Sequence, residues 1–246
     1  IYLRGNANEY DQWAQMGCAG WSFEDVLPYF KRAETNARGE GPLHGGKGPM
    51  RIKPSGARLP IIEAFVESIA AAGIPFRSDL NCDAADGIGY HDLNIDAGRR
   101  ASTARAYLSQ AKARSNLTIL TGARALRIAI EYGRAVGIET MRKGAVEIVR
   151  AEREVILCCG AIQSPQLLML SGIGPADHLR ANGIGIAVDS PDVGRHLRNH
   201  PNLLLQYGCS KPVTAYRYMH PARAAGAALA YLAGRGPLAD SCFAAG

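Results

Sequence analysis

The stretch Val155–Gly174 constrains this chain more than any other. Val155-Ile156-Leu157-Cys158 is an apolar run without alternation, the pattern of a strand covered on both faces. Gly160 and Ala161 then remove side-chain bulk, so another backbone or a flat ligand can approach closely. Ser164 has the chemistry of an N-cap, Pro165 suits the first helical position, and Gly172 suits the residue just past the helix end. Strand, small-residue turn and helix in so short a span predict an α/β fold. A helix N-terminus at the carboxyl end of a strand can hold a phosphate. The same arrangement also serves as a plain packing turn, and the residues alone leave both readings open.

A length of 246 residues allows one large domain or two small ones, each with a core. The 28 basic and 22 acidic residues give a net charge of +6 but are interspersed, so no nucleic-acid partner is expected. Cys18, Cys82, Cys158, Cys159, Cys209 and Cys242 show no CxxC spacing, which fits a reducing, cytoplasmic compartment. Cys158 and Cys159 are expected to pack as small hydrophobes in the buried strand. No apolar run reaches the length of a membrane span. His196 and His200 stand four apart, as helical metal ligands do, but no third ligand accompanies them and no metal is expected. Asp79, Asp83, Asp86, Asp92 and Asp96 lack calcium-loop spacing, so residues 74–100 read as an irregular surface segment.

Taken in order, Ser22 and Asp25 form the ends of a capping box for a helix with Val26, Leu27 and Phe30 on its apolar face. Gly41–Pro49 reads as a loop leading into an extended piece at Met50–Lys53; Gly46-Lys47 lacks the spacing of a phosphate loop. A helix follows from Pro60, with Ile61, Ile62, Phe65, Val66 and Ile69 on one face and Gly73 as its stop. Ser102 or Thr103 opens another. Strands are expected at Leu117–Leu120, Ala125–Ile130, Ala135–Thr140 and Val146–Arg150, with hairpin turns at Tyr132-Gly133 and Lys143-Gly144. Beyond the opening stretch come a short helix stopped at Asn182-Gly183, a strand at Leu203–Tyr207 and an Ala-rich helical run within Tyr216–Gly234.

Gly160-Ala161-x-x-Ser164-Pro165-x-Leu167-Leu168-x-x-Ser171-Gly172-Ile173-Gly174 resembles the second signature of the glucose–methanol–choline (GMC) family of FAD-dependent oxidoreductases. Arg4-Gly5-Asn6, Trp13, Gly20-Trp21-Ser22 and Leu27 through Glu34 resemble the segment that follows that family's first signature. Arg114 through Thr121, and Val193, Gly194, Leu197 and His200, match further family positions, while His196 and Asn199 depart from them. Among members the wording is most similar to bacterial choline-dehydrogenase-like enzymes.

The resemblance implies FAD as cofactor, with the backbone at Ile1 near the isoalloxazine and the backbone at Ala125 on the adenine. It places Cys159, Gly160, Ala161 and Pro165 at the cofactor as well. It implies an FAD-binding Rossmann-like sheet with an antiparallel meander, turning α+β in the second part. On this reading residues 1–50 cover the flavin and connect onward, and 51–100 belong to a substrate domain. Residues 101–200 are then the C-terminal part of the FAD domain, with the meander at 117–150 and the signature at 155–174. Residues 201–246 begin a second substrate-domain segment, where Gly236–Ala239 resembles a turn leading to the substrate pocket. The implied reaction oxidises a primary alcohol, choline or a relative, to the aldehyde by hydride transfer to flavin N5, with a quinone or oxygen as electron acceptor. The family's GxGxxG segment and catalytic histidine match nothing here, so the resemblance implies an internal fragment whose catalytic residues lie beyond its C-terminus. A cytoplasmic location, or one at the inner face of the membrane, accompanies this reading. A non-catalytic remnant and one half of a split flavoenzyme are its alternatives.

Overall fold

The computed structural model describes residues 1–56, 58–82, 86–201, 203–241 and 245. The chain forms two compact units, Ile1–Leu117 with Gln206–Gly246, and Thr118–Leu205.

The first unit opens with α1 (Ala7–Gln15), where the Asn6 side chain accepts from the Asn8 N–H at 3.0 Å. The Ser22 and Asp25 capping box forms as the residue types predict and starts α2 (Phe23–Ala33), each side chain accepting the other's backbone N–H at 3.2 Å. Tyr10 joins the two helices, its ring 5.8 Å from Phe30 and 6.1 Å from Phe23. Helix α2 runs straight into β1 (Glu34–Asn36), which pairs in parallel with β2 (Met50–Pro54).

The helix α3 (Pro60–Ala71) turns Val66 fully inward and leaves Ile61 and Phe65 exposed, a narrower apolar face than the sequence suggests. Four short strands follow: β3 (Phe76–Arg77), β4 (Ile88–Gly89), β5 (Asp92–Leu93) and β6 (Ile95–Asp96). Strand β5 pairs with β2 and completes a sheet of order β1-β2-β5, while β6 pairs with β7 (Arg99–Arg100). Residues 74–100 therefore differ from the expected surface segment: Asn81, Ile88, Asp92 and Leu93 are buried. Paired carboxylates can leave water where lone ones cannot; Asp83 lies outside the described residues. The next helix begins as a π-helical turn, Ala104–Leu108, with Ser102 Oγ accepting from the Arg105 N–H, and continues as α4 (Ser109–Ala111).

The second unit is built on an antiparallel meander of β8 (Ala123–Glu131), β9 (Arg134–Arg142) and β10 (Ala145–Arg150). Both turns carry two consecutive left-handed residues, Tyr132 (φ 52°) with Gly133 (φ 76°) and Lys143 (φ 51°) with Gly144 (φ 83°), as tight two-residue hairpins require. Leu117–Leu120 is not a strand; the ladder starts only past the left-handed Gly122. Helix α5 (Gly160–Leu170) packs on β8, and Ser171 Oγ accepts the Ile128 N–H at 2.7 Å and donates to the Leu167 carbonyl at 2.6 Å. Gly172 stops α5 as expected, since φ is 83° and an added Cβ would sit 2.4 Å from the Gly185 carbonyl oxygen. Strand β11 (Ile173–Gly174) leads into α6 (Ala176–Ala181), whose Leu179 is wholly buried, and pairs in parallel with β12 (Val188–Asp189).

Two further expected strands do not form. Val155–Cys158 carries no strand structure, because no described segment flanks it to share a ladder, and Cys158 and Cys159 are exposed rather than buried. Leu203–Tyr207 likewise carries no strand structure, with Leu203 and Leu204 exposed. Residues 195–200 are not helical and His196 is left-handed (φ 57°), so His196 and His200 do not share a helix face. In the first unit the Ala-rich run forms a 3-10 turn at Ala215–Met219 and then α7 (Pro221–Leu232), restarted at Pro221. Cys242 lies outside the described residues.

Candidate functional site

The signature residues gather at the start of α5, though not as the sequence suggests. The helix begins at Gly160, so Ser164 is not its N-cap residue; from within the first turns its hydroxyl accepts the Cys159 N–H at 3.1 Å. Pro165 therefore lies inside the helix, where its missing N–H leaves the Ala161 carbonyl without its helical donor. Helix geometry leaves the N–H groups of Gly160, Ala161 and Ile162 without intrahelical acceptors. Gly160 has φ 87°, and no atom lies within 4 Å of where its Cβ would be. Its glycine is thus required by backbone conformation, and the space before it is open. Cys158, Cys159, Gly160, Ala161, Ile162 and Gln163 are all exposed, Ile162 to 72%. Ala125 sits in the same unit on β8, exposed, opposite Thr140 and next to a bulge that shifts the register before Arg127.

Ile1 belongs to the first unit and is 57% exposed, but the residues after it are pinned. The Tyr2 N–H donates to the Asp92 carbonyl at 2.6 Å, the Arg4 N–H to Asn81 Oδ1 at 2.8 Å, and Asn81 Nδ2 to the Tyr2 carbonyl at 3.2 Å. Arg4 reaches inward, donating to the Leu43 carbonyl at 2.6 Å and to Glu34 Oε1 at 2.9 Å. The same carboxylate accepts from the Gly45 N–H and lies 2.9 Å from His44 Nδ1, while His44 Nε2 is 2.7 Å from Asp79. Arg38 closes the group on Asp92 at 2.7 Å.

Burial, the Glu34 charge and contact with that carboxylate push the Tyr2 phenol up to about 12. Burial works to raise Asp79 too, but hydrogen bonds from His44 and the Asn81 N–H, with the charges of His44 and Arg38, hold it below the ordinary carboxylate value. Asp92 goes the other way: burial raises it despite Arg38. Loop and helix meet here without side chains between them. A Cβ on Gly45 would stand 1.8 Å from the Lys31 carbonyl oxygen, and one on Gly48 would be 2.3 Å from the Ala33 carbonyl carbon. Sequence reasoning missed this network. Its one local signal is the pair Gly45 and Gly48 beside His44.

An open, glycine-led helix N-terminus is a place where an anionic group can be received. The family model described as GMC oxidoreductase matches residues 1–202, and the chain belongs to that family. It is 42% identical over 219 residues to an oxygen-dependent choline dehydrogenase of Rhizobium johnstonii, covering 89% of this chain and 40% of that protein. To the enzyme of the same description from Pseudomonas fluorescens SBW25 it is 46% identical over 220 residues, covering 87% and 39%. Among solved structures, an FAD-dependent oxidoreductase from Chaetomium thermophilum superposes with a TM-score of 0.92 at 26% identity, over 100% of this chain and 46% of that one. The chain thus spans about two fifths of the length of the curated relatives it matches. Among the described residues no helix is long and apolar enough to cross a membrane.

Proposed function

We propose that this chain supplies part of the FAD site of an oxidoreductase that oxidises a primary alcohol, choline or a close relative, with oxygen or a quinone as electron acceptor. The observation that carries this reading is the start of α5, where Gly160 is left-handed, unhindered and followed by exposed N–H groups. Those residues fit a phosphate-bearing cofactor: the N–H groups of Gly160 and Ala161 would donate to it, and the small side chains let it approach. Cys159 and Pro165 would frame that turn. The Ala125 backbone would meet the adenine, and the Ile1 backbone the flavin ring. Residues 101–200 are then assigned to the FAD domain, and 51–100 with 201–246 to the substrate side.

Bound FAD would supply the hydride acceptor, at N5. The chain's own residues bind and orient. The Glu34 network holds Tyr2–Arg4 in place, so that Ile1 presents its backbone at a fixed position. His44 is not assigned the role of accepting the alcohol proton, because both its ring nitrogens already face carboxylates within 2.9 Å.

The test is Gly160→Val in the full-length gene product. A β-branched residue is strained at φ 87° and fills the approach to the N–H groups. Visible flavin absorbance retained after gel filtration should fall by roughly tenfold or more, a factor worth about 1.4 kcal/mol per decade. Circular dichroism should be unchanged. Full flavin retention by a folded variant would refute the assignment. Oxygen uptake with choline, compared with other primary alcohols, tests the substrate.

A further inference from the structure

A different surface carries a second binding assignment. Between the loop Gly46–Pro49 and the segment Tyr107–Arg114 lies a cleft of about 690 Å³, wholly within the first unit. Lys47, Arg51 and Arg114 line it, and among the described residues no carboxylate does, Glu40 lying behind Gly46. Among the described residues none of the three forms an ion pair. The comparable cleft beside α7 shows the contrast: its Lys53 has Asp240 at 3.5 Å. Three like charges facing one cavity raise its potential, and an anion within it relieves their repulsion.

The walls are fixed. The Gly48 N–H donates to the Glu34 carbonyl at 2.8 Å, Thr35 Oγ1 donates to the Gly48 carbonyl, and Gly48 lies too close to β1 for any side chain. Arg51 follows on β2 and is exposed, while its neighbour Ile52 is buried, so Arg51 projects away from the core. The opposite wall carries the π-helical turn Ala104–Leu108, a local irregularity frequent at functional sites, which brings Tyr107 to the cleft. Gln110 is held there by donating Nε2 to the Ala106 carbonyl at 2.8 Å. Guanidinium groups favour phosphate oxygens with two parallel hydrogen bonds, and the volume exceeds what a single phosphate fills.

We propose that this cleft binds a soluble small molecule carrying two or more linked phosphates, held by Lys47, Arg51 and Arg114. None of these residues is among those assigned to FAD, so the proposal stands or falls apart from that reading. The experiment is calorimetric titration of the full-length, FAD-saturated protein with inorganic tripolyphosphate, saturation removing any contest at the flavin site. Saturable binding at one equivalent is expected, weakening as salt rises. Arg51→Gln and Arg114→Gln should each weaken it by roughly tenfold, about 1.4 kcal/mol. Arg198→Gln, an exposed cation elsewhere, should leave it unchanged. All three replaced residues are exposed, so thermal unfolding should not move. Absent or non-saturable binding, equal displacement by sulfate at matched ionic strength, or variants that bind as well as the parent would each overturn the proposal. So would binding confined to phosphatidylcholine vesicles doped with phosphatidylinositol bisphosphate, since that assigns the cleft to a membrane surface.

Discussion

Glu34 and Asp92 are withdrawn almost entirely from water, with His44 and Asp79 largely so, whereas Ile156 and Ile162 stay in it at 71% and 72% exposure. The first group inverts the usual placement of charge and the second that of apolar surface. Charges can be buried where each meets an opposite charge and a hydrogen-bond partner, and Glu34 has Arg4, the Gly45 N–H and His44 around one oxygen. Exposed apolar side chains have no such internal compensation. They mark surface reserved for something other than this segment's own core. The first unit uses its polar groups to fix a backbone, whereas the first turn of α5 leaves the N–H groups of Gly160, Ala161 and Ile162 without intrahelical acceptors.

Three experiments would break or sharpen that contrast. Glu34→Ala strands the Arg4 guanidinium and should cost about 3–5 kcal/mol, as removing one partner of a buried pair does. Urea unfolding followed by tryptophan fluorescence would read it directly, since Trp13 and Trp21 both lie in the first unit. A cost below about 1 kcal/mol would make the network decorative. The Asp79 effect is smaller. Its folded carboxyl titrates below the ordinary 3.8, so it stabilises the fold above that pH, and the contribution is lost as pH falls through and below it. Asp79→Asn should therefore flatten the acid limb of the stability profile below about pH 4. An unchanged limb would show that the His44 contact carries no linkage. The smallest effect is expected from Ile162→Ser, within about 0.5 kcal/mol of the parent in stability because the side chain touches water already. A large loss would mean that Ile162 packs in a way its 72% exposure does not reveal.

What could be read from the sequence was what neighbouring residues decide between themselves. Ser22 with Asp25, Tyr132 with Gly133 and Gly172 each act over a few residues, and each behaves as its type predicts. The run Val155–Cys158 misled because a buried strand needs partners, and partners are not a property of the run. Ser164 misled for a subtler reason. It does satisfy an N–H at the helix start, but by reaching back to Cys159 from inside the helix. The Glu34 network was invisible because Arg4, Glu34, His44, Asp79 and Asp92 come from separated segments, and isolated acids read as surface. The π-helical turn at Ala104–Leu108 has no compositional mark at all. For the candidate site, motif resemblance located the turn, and the structure supplied its conformation.

The unladdered run before α5 also bears on how the protein behaves during synthesis. Val155-Ile156-Leu157-Cys158-Cys159 is uncharged, proline-free and rich in strand-forming residues, and it joins no ladder among the described residues. Immediately ahead of it stand Arg150, Glu152, Arg153 and Glu154, where charge opposes intermolecular pairing. Neutralising Glu152, Arg153 and Glu154 should shift the expressed protein toward inclusion bodies, whereas neutralising Arg150 would also remove its ion pair with Glu131 at 2.7 Å.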